Sequence, residues 1–235
     1  MSRYYKHKGK KLPSVTTIID ACQNKSGALT QWASNMVVQW IKTNCPCSIQ
    51  QNKLTGEEEQ YFTVFNEDLE QARFNFRDVS EKALDIGSQV HEAIEKYFLT
   101  DTYPILDGQA EQAFHAFLGF KEVNDMIPIK IEEKVYSDCW AGTLDFYGYF
   151  NEKIYVIDFK SSKAIYLDSM GPQIAAYRSL KPEAVGSGIL RLDKETGLPE
   201  FKDTTKRYDR DLAVFNAMVD LYFLRHPRIA KQAGK

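Results

Sequence analysis

The sequence lacks long apolar runs, and none of its hydrophobic stretches approaches the roughly 18 residues needed to span a bilayer. No signal-peptide pattern precedes the first charged residues. An excess of charge is also lacking, since 30 basic side chains stand against 32 acidic ones and the net charge is −2. Without an overall basic field, any polyanion has to be bound in a local groove rather than wrapped around the surface. We expect a soluble, intracellular protein located in the cytoplasm.

Cysteine is scarce as well, with only Cys22, Cys45, Cys47 and Cys139. Cys45 and Cys47 flank a single proline, which brings them too close for an ordinary structural disulfide. No second cysteine pair follows that would complete a zinc site. We expect all four thiols to be reduced.

Hydrophobic residues make up 43% and aromatic residues 13% of the 235 residues, which is enough for a sizeable core. Apolar residues recur at helical spacing in the first half of the chain and alternate in much of the second. This pattern predicts helices over residues 27–42, 57–70, 78–98, 109–123, 169–180 and 209–224, and strands over 127–136, 142–150, 153–160, 184–192 and 201–208. We predict one α/β domain, residues 1–235, with a mainly helical lobe (1–125) ahead of an α/β core (126–235).

The first twelve residues are strongly basic, with Arg3, Lys6, Lys8, Lys10 and Lys11. Such a segment is either a solvated, partly ordered terminus or a contact for phosphate groups. The helix predicted over 27–42 carries two tryptophans on its apolar stripe. A stripe of this kind can stack nucleic-acid bases, but among aliphatic residues it is more often part of the core.

The predicted strand 153–160 ends in two charged residues on one face, Asp158 and Lys160. Charged side chains at the end of an apolar strand are costly to place without a purpose. A hairpin can bring Asp145, on the preceding strand, alongside Asp158. Two carboxylates beside an ammonium make a site for a hard divalent cation. The alternative is a solvated strand edge with a surface ion pair.

Two predicted helices carry further residue pairs spaced four apart, which places each pair on one helical face. Gln173 and Tyr177 follow the charged strand, and Gly87 and His91 precede the strands. Gly87 can instead serve close helix packing, and His91 can be a half-buried histidine with its hydrogen bonds satisfied.

In this order and spacing the motifs resemble the PD-(D/E)XK nuclease superfamily, in its RecB-like exonuclease branch. Its four motifs stand here as Gly87…His91, Gly142…Asp145, Asp158…Lys160 and Gln173…Tyr177. The amino-terminal segments 13–19 and 28–33 are similar to phage-borne members, and the first is also similar to the mitochondrial genome maintenance exonucleases. The resemblance implies a restriction-endonuclease-like core, with a central mixed sheet flanked by helices, and a metal-dependent deoxyribonuclease. It also implies a phage-encoded protein of DNA recombination or repair, acting in a bacterial host.

The resemblance implies Mg²⁺ or Mn²⁺ as cofactor, bound by Asp145, Asp158 and His91. A nitrogen ligand favours Mn²⁺ relative to Mg²⁺. The backbone carbonyl of Phe159 is a further candidate ligand. Iron–sulfur relatives carry a cysteine cluster near the carboxyl terminus, and because no cysteine follows Cys139 we expect no iron–sulfur cluster.

Family members place an acidic residue on the strand before Gly-x-x-Asp. Glu132 fits the spacing better than Glu133, but two adjacent glutamates leave the choice open. The two point to opposite faces of a strand, so only one can serve. A surface charge is the alternative for either.

The catalytic role of Lys160 is also implied by the resemblance. The lysine orients or deprotonates the attacking water, or offsets charge in the transition state. Gln173 and Tyr177 hold the substrate strand or the lysine. As a strand-end side chain, Lys160 is expected to contribute little to stability.

We expect an exonuclease acting on free DNA ends, preferably single-stranded, because no base-reading module is recognisable. A helical lobe over the site can admit a flexible single strand but not a stiff duplex. The alternatives are a structure-specific endonuclease and a nuclease-fold module that binds DNA or a partner without cutting.

Overall fold

The computed structural model describes residues 3–24 and 26–235, and of Ser26 only the backbone. The strands are β1 (Tyr4–His7), β2 (Lys10–Pro13), β3 (Cys47–Gln51), β4 (Glu58–Phe62), β5 (Met126–Tyr136), β6 (Ala141–Phe150), β7 (Lys153–Lys160), β8 (Gly186–Leu192) and β9 (Pro199–Asp203). The helices are α1 (Val15–Cys22), α2 (Ser26–Asn44), α3 (Asn66–Thr100), α4 (Gly108–Val123), α5 (Leu167–Ser179), α6 (Tyr208–Arg225) and α7 (Pro227–Ala233), with a 3-10 turn at Thr205–Arg207. Among the described residues, no helix combines the length and the apolar character that crossing a membrane requires.

Contacts within the chain define two compact units. The sheet unit comprises the chain up to Gln23 together with Ile86–Lys235, and the second unit comprises Asn24–Asp85. The amino-terminal segment and the helices between Ile86 and residue 125 thus belong with the sheet, whereas the sequence-based division placed a boundary at residue 125.

The sheet unit is organised on a five-stranded sheet in the order β5-β6-β7-β8-β9. β7 and β8 run parallel, and the other neighbouring strands are antiparallel. A parallel pair needs a crossover connection, and here α5 supplies it. The predicted α/β class, with a central mixed sheet flanked by helices, is confirmed.

The alternation predicted for β7 is also confirmed, because its residues divide between two cores. Val156 packs in a cluster with Ile174 of α5 and Phe215 of α6. Ile157 and Phe159 pack in the other cluster, with residues of α3 and α4. By the same alternation, the two charged residues at the end of β7 share the face of Val156.

Within the second unit, the prediction of a helix over 57–70 is wrong for residues 58–62. β3 and β4 form an antiparallel hairpin instead. Its turn is closed by Asn52, whose side-chain oxygen accepts hydrogen bonds from the backbone N–H groups of Leu54 and Thr55. Most residues of both strands are exposed, so no apolar alternation marks them in the sequence.

The start predicted for α3 at residue 78 is wrong by twelve residues, because the helix begins at Asn66. Its first turn is closed by Asp68, whose carboxylate accepts a hydrogen bond from the backbone N–H of Phe65 at 2.9 Å. No proline or glycine between this turn and residue 80 interrupts the helix.

The tryptophan stripe of α2 is only half-buried, so the expectation that it forms core is not met. Trp32 and Trp40 are of intermediate exposure, and Leu29 is 56% exposed. Within the second unit, the Trp32 ring meets Phe76 of α3 edge-on at 6.4 Å. A unit of this size has too little apolar surface to cover the stripe completely.

Helix α5 begins at Leu167, two residues before the predicted start, and Pro172 lies inside it. Proline has no N–H to bond the carbonyl four residues earlier, which belongs to Asp168. Gln23 Nε2 donates to that carbonyl at 2.8 Å. A side chain from the end of α1 thus replaces the missing hydrogen bond of the helix.

The amino-terminal segment is an ordered hairpin, so the expectation of a solvated, partly ordered terminus is wrong for residues 3–13. β1 pairs with β2 so that Tyr5 lies opposite Leu12, and both side chains are buried. The two-residue turn is Lys8-Gly9, with φ of +47° and +75°, as a type I′ turn requires.

Candidate metal centre

Three acidic residues lie side by side where β5, β6 and β7 meet. In the register of β5 with β6, Glu132 falls opposite Asp145. In the register of β6 with β7, Asp158 falls opposite Asp145, one residue beyond the last paired positions. Because opposite residues of antiparallel strands share a face, the sheet itself brings the three carboxylates together.

Helix α3 adds an imidazole to this group. The helix is anchored by Val90 and Ile94, which are buried in the core beneath the sheet. His91 Nδ1 lies 2.7 Å from Glu132 Oε1 and 3.7 Å from Asp145 Oδ1. One ligand atom each from His91, Glu132 and Asp145 fits within 4.8 Å of the others.

The structure distinguishes the two adjacent glutamates. Glu132 has a φ of +47°, which turns it out of regular strand geometry and towards His91. Glu133 points away and forms an ion pair with Lys181. Glu132 is therefore the glutamate that faces the candidate centre.

Asp158 stands beside this group and is held by other partners. Its Oδ1 accepts a hydrogen bond from Gln173 Nε2 at 3.0 Å, and its Oδ2 lies 2.6 Å from Lys160 Nζ. The second contact is an ion pair whose angles do not meet hydrogen-bond geometry. Asp158 is 1% exposed, so its charge depends on Lys160 for compensation.

Asp145 links the carboxylate group to the backbone of β7. Its Oδ2 accepts a hydrogen bond from the N–H of Phe159 at 2.7 Å, while its Oδ1 faces His91. The N–H and C=O of one strand residue point to the same side, so the Phe159 carbonyl also faces β6. This direction suits the carbonyl for the predicted ligand role, which stays a prediction.

Steric contact explains why a glycine stands at position 142, the first residue of the Gly-x-x-Asp motif. A Cβ on Gly142 would lie 2.5 Å from Cε1 and 2.8 Å from the hydroxyl oxygen of Tyr177. The buried Tyr177 ring therefore packs directly on the β6 backbone three residues before Asp145. A Cβ on Gly87 would make only an ordinary contact of 3.5 Å with Ser161 Oγ, so the packing role suggested for Gly87 has no comparable steric basis.

The charges around His91 keep it protonated. Burial by itself lowers the pKa of His91, but the carboxylates of Asp145 and Glu132 outweigh it and raise the pKa to about 9. The metal-free site thus holds a proton on the imidazole, between two carboxylates. A cation bound there takes over the same charge compensation.

The neighbouring pair is perturbed by burial and by its own charges. Burial, with a contribution from Asp145, raises the pKa of Asp158 to about 6, although Lys160 opposes the shift. Burial lowers the pKa of Lys160, but Asp158 and Asp145 outweigh this and leave the pKa above its usual value. Lys160 is therefore a cation at neutral pH. Burial and the same two aspartates keep the pKa of the Tyr177 hydroxyl well above its usual value.

The chain matches no known family model and no curated protein. The kind of ion must therefore be inferred from the donor atoms themselves. Two carboxylates and one imidazole suit Mn²⁺ and Mg²⁺, since oxygen ligands are typical of both and a nitrogen ligand favours Mn²⁺. The residues present fit a divalent cation of this class.

Sequence reasoning did not identify two residues around this centre. Lys181, which follows the end of α5, forms an ion pair with Glu133, while Glu132 contacts His91. Tyr5 of β1 reaches Thr143 of β6, with its hydroxyl oxygen 3.2 Å from Thr143 Oγ1. Both contacts join residues far apart in the sequence, and no local pattern signals them.

Proposed function

We propose that the protein is a divalent-metal-dependent deoxyribonuclease with a restriction-endonuclease-like core. The observation that carries the proposal is the convergence of His91, Glu132 and Asp145 beside the buried Asp158–Lys160 pair. The resemblance of the four sequence motifs to RecB-like exonucleases supports it, since the residues of those motifs meet at one end of the sheet. A non-cleaving module needs no such intact set of ionisable groups.

Asp145, Glu132 and the His91 imidazole would hold Mg²⁺ or Mn²⁺, with Asp158 and the Phe159 carbonyl next to them. When bound, the ion neutralises phosphate charge and lowers the pKa of a coordinated water. To act as a ligand, His91 must first lose the proton that the two carboxylates stabilise.

Lys160 acts as a fixed cation in this proposal. Its raised pKa makes it a poor base at neutral pH, so of the roles expected from the sequence we favour orienting the attacking water and offsetting negative charge. Asp158 holds the ammonium in place, and Gln173 holds Asp158 by a hydrogen bond of 3.0 Å. Lys160 remains 23% exposed, which leaves its ammonium accessible to a phosphate group.

The substrate class and mode of attack follow from the resemblance. We propose hydrolysis from free DNA ends, with single-stranded ends preferred. A structure-specific endonuclease with the same site chemistry is the alternative.

The test uses end-labelled linear single-stranded DNA and a closed circle of the same sequence, each with Mg²⁺ or with Mn²⁺. Degradation of the linear form alone supports exonuclease action. Equal cutting of both forms identifies an endonuclease. No cleavage of either form, with either metal, contradicts the proposed function.

A matched pair of variants tests the metal centre separately. Asp145→Asn removes one charge but keeps an oxygen to accept the Phe159 hydrogen bond, whereas Glu122→Gln neutralises an exposed acid on α4. Mn²⁺ at about 100 times its Kd should stabilise the wild type and Glu122→Gln by about 2.7 kcal/mol. Asp145→Asn should show little of this stabilisation in a thermal melt. An equal shift in all three proteins rules out the centre.

A further inference from the structure

The amino-terminal hairpin concentrates positive charge in a chain that is acidic overall. Residues 1–19 contain five basic side chains and no acidic one, although the net charge of the whole chain is −2. Lys6, Lys8 and Lys11 are exposed, and none of the three forms an ion pair with a described residue. The positive charge of the hairpin is thus available to a partner.

The two strands of the hairpin separate its residues into two faces. Tyr5 lies opposite Leu12 on the buried face, and Lys6 lies opposite Lys11 on the other. Like charges directly opposite each other on a strand pair destabilise it. Lys11 Nζ rests 4.5 Å from the centre of the Tyr4 ring, so this face combines ammonium groups with an aromatic surface.

The turn between β1 and β2 contains a third lysine, Lys8, whose backbone conformation is unfavourable for a residue with a side chain. Lys8 adopts a φ of +47°, in a region where glycine and asparagine are favoured. A lysine at this position gains nothing from the backbone. Its side chain is exposed, as are those of Lys6 and Lys11.

The hairpin is fixed next to the candidate metal centre. The Tyr5 hydroxyl oxygen lies 3.2 Å from Thr143 Oγ1. Thr143 is two residues before Asp145 on β6, so the two side chains share a face about 7 Å apart. Tyr5, next to Lys6 in the chain, therefore lies close to the candidate metal centre, while Lys6 and Lys11 project from the opposite face of the hairpin.

We infer that the outer face of the β1–β2 hairpin, formed by Lys6, Lys8 and Lys11, docks the phosphate backbone of a single-stranded nucleic acid that leads to the metal centre. The inference rests on the proposed function in one respect: that the bound nucleic acid continues from the hairpin to the metal centre. A single strand suits a short row of cations better than a duplex, because it can bend to follow the hairpin and then enter the site.

The test measures binding without metal, so that no cleavage occurs. A labelled oligothymidine, which offers no base sequence to read, is titrated in EDTA and followed by fluorescence anisotropy at several salt concentrations. The variant Lys6→Gln/Lys11→Gln removes the cross-strand pair and leaves the turn intact. The matched control, Lys96→Gln/Lys153→Gln, removes two exposed lysines of the same unit outside the hairpin.

Each phosphate contact to a single strand contributes about 0.7 to the slope of log K against log salt concentration. Loss of two contacts should reduce the slope by about 1.4 and weaken binding about 25-fold at about 0.1 M salt. The control should bind like the wild type. Equal affinity of the hairpin variant and the wild type overturns the inference, and so does an equal loss in the control.

The outcome can be separated from that of the proposed function. If the wild type binds the oligonucleotide through the hairpin but cleaves no DNA with Mg²⁺ or Mn²⁺, the docking surface stands and the nuclease proposal fails. If the wild type cleaves and the hairpin variant shows an unchanged KM, the nuclease proposal stands and the docking surface fails.

Discussion

Replacement of Lys160 by methionine should produce a destabilisation that grows with pH. Methionine keeps much of the length of the side chain but removes the cation next to Asp158, which is 1% exposed. From this contact we predict a loss of stability where the sequence alone predicted almost none. Removing one partner of a buried ion pair leaves an uncompensated charge, unless the remaining group takes up a proton.

The magnitude follows from the pKa of Asp158, which is about 6 in the folded protein and about 3.9 in an unfolded chain. Because the folded value is the higher one, ionisation lowers stability as pH rises between these two values, and the loss levels off above about pH 6. Without Lys160 the pKa of Asp158 in the folded protein rises further, so stability continues to fall at pH values above about 6. The extra destabilisation should grow by up to about 2 kcal/mol between about pH 6 and about pH 8.

Urea denaturation in EDTA at several pH values measures this difference through the transition midpoints. The double variant Asp158→Asn/Lys160→Met provides the control, because it removes the carboxylate as well as the lysine. Its stability relative to the wild type should lack the further decline above about pH 6. If Lys160→Met destabilises the protein equally at about pH 6 and at about pH 8, the reasoning is refuted. Cleavage should be lost in both variants.

Three further predictions concern the residues around the centre. Gly142→Ala should destabilise the protein by about 1–3 kcal/mol in a urea denaturation experiment, because the added Cβ would lie 2.5 Å from a buried tyrosine ring. Gly87→Ala serves as the comparison: its added Cβ lies in a helix with a closest contact of 3.5 Å, so this variant should be neutral or more stable by up to about 1 kcal/mol. His91→Ala should lower nuclease activity, and higher Mn²⁺ concentration should partly restore it; a variant that misfolds would instead identify His91 as a structural residue. Glu132→Gln should weaken Mn²⁺-dependent thermal stabilisation while Glu133→Gln retains it, and the reverse result would contradict the assignment of the two glutamates.

Local patterns in the sequence were sufficient for the central strands. The strand predicted over 153–160 has the same bounds in the structure, and those predicted over 127–136 and 142–150 each begin one residue earlier. A strand that is buried on both faces, such as β7, reads as a short apolar run that can be recognised directly along the chain. The exposed hairpin at residues 47–62 carries no apolar run and no alternation, and it was predicted wrongly for that reason.

The arrangement of the site was decided by contacts between distant parts of the chain. The spacing in the sequence favoured Glu132 over Glu133 but left the choice open, and the register of β5 on β6 and the ion pair between Glu133 and Lys181 assign Glu132 to the candidate centre. Residue types in the sequence suggested Asp158 as a metal ligand, yet its carboxylate is held by Lys160 and Gln173. Strand register and helix packing set these distances, and each depends on pairings across tens of residues that no local pattern contains.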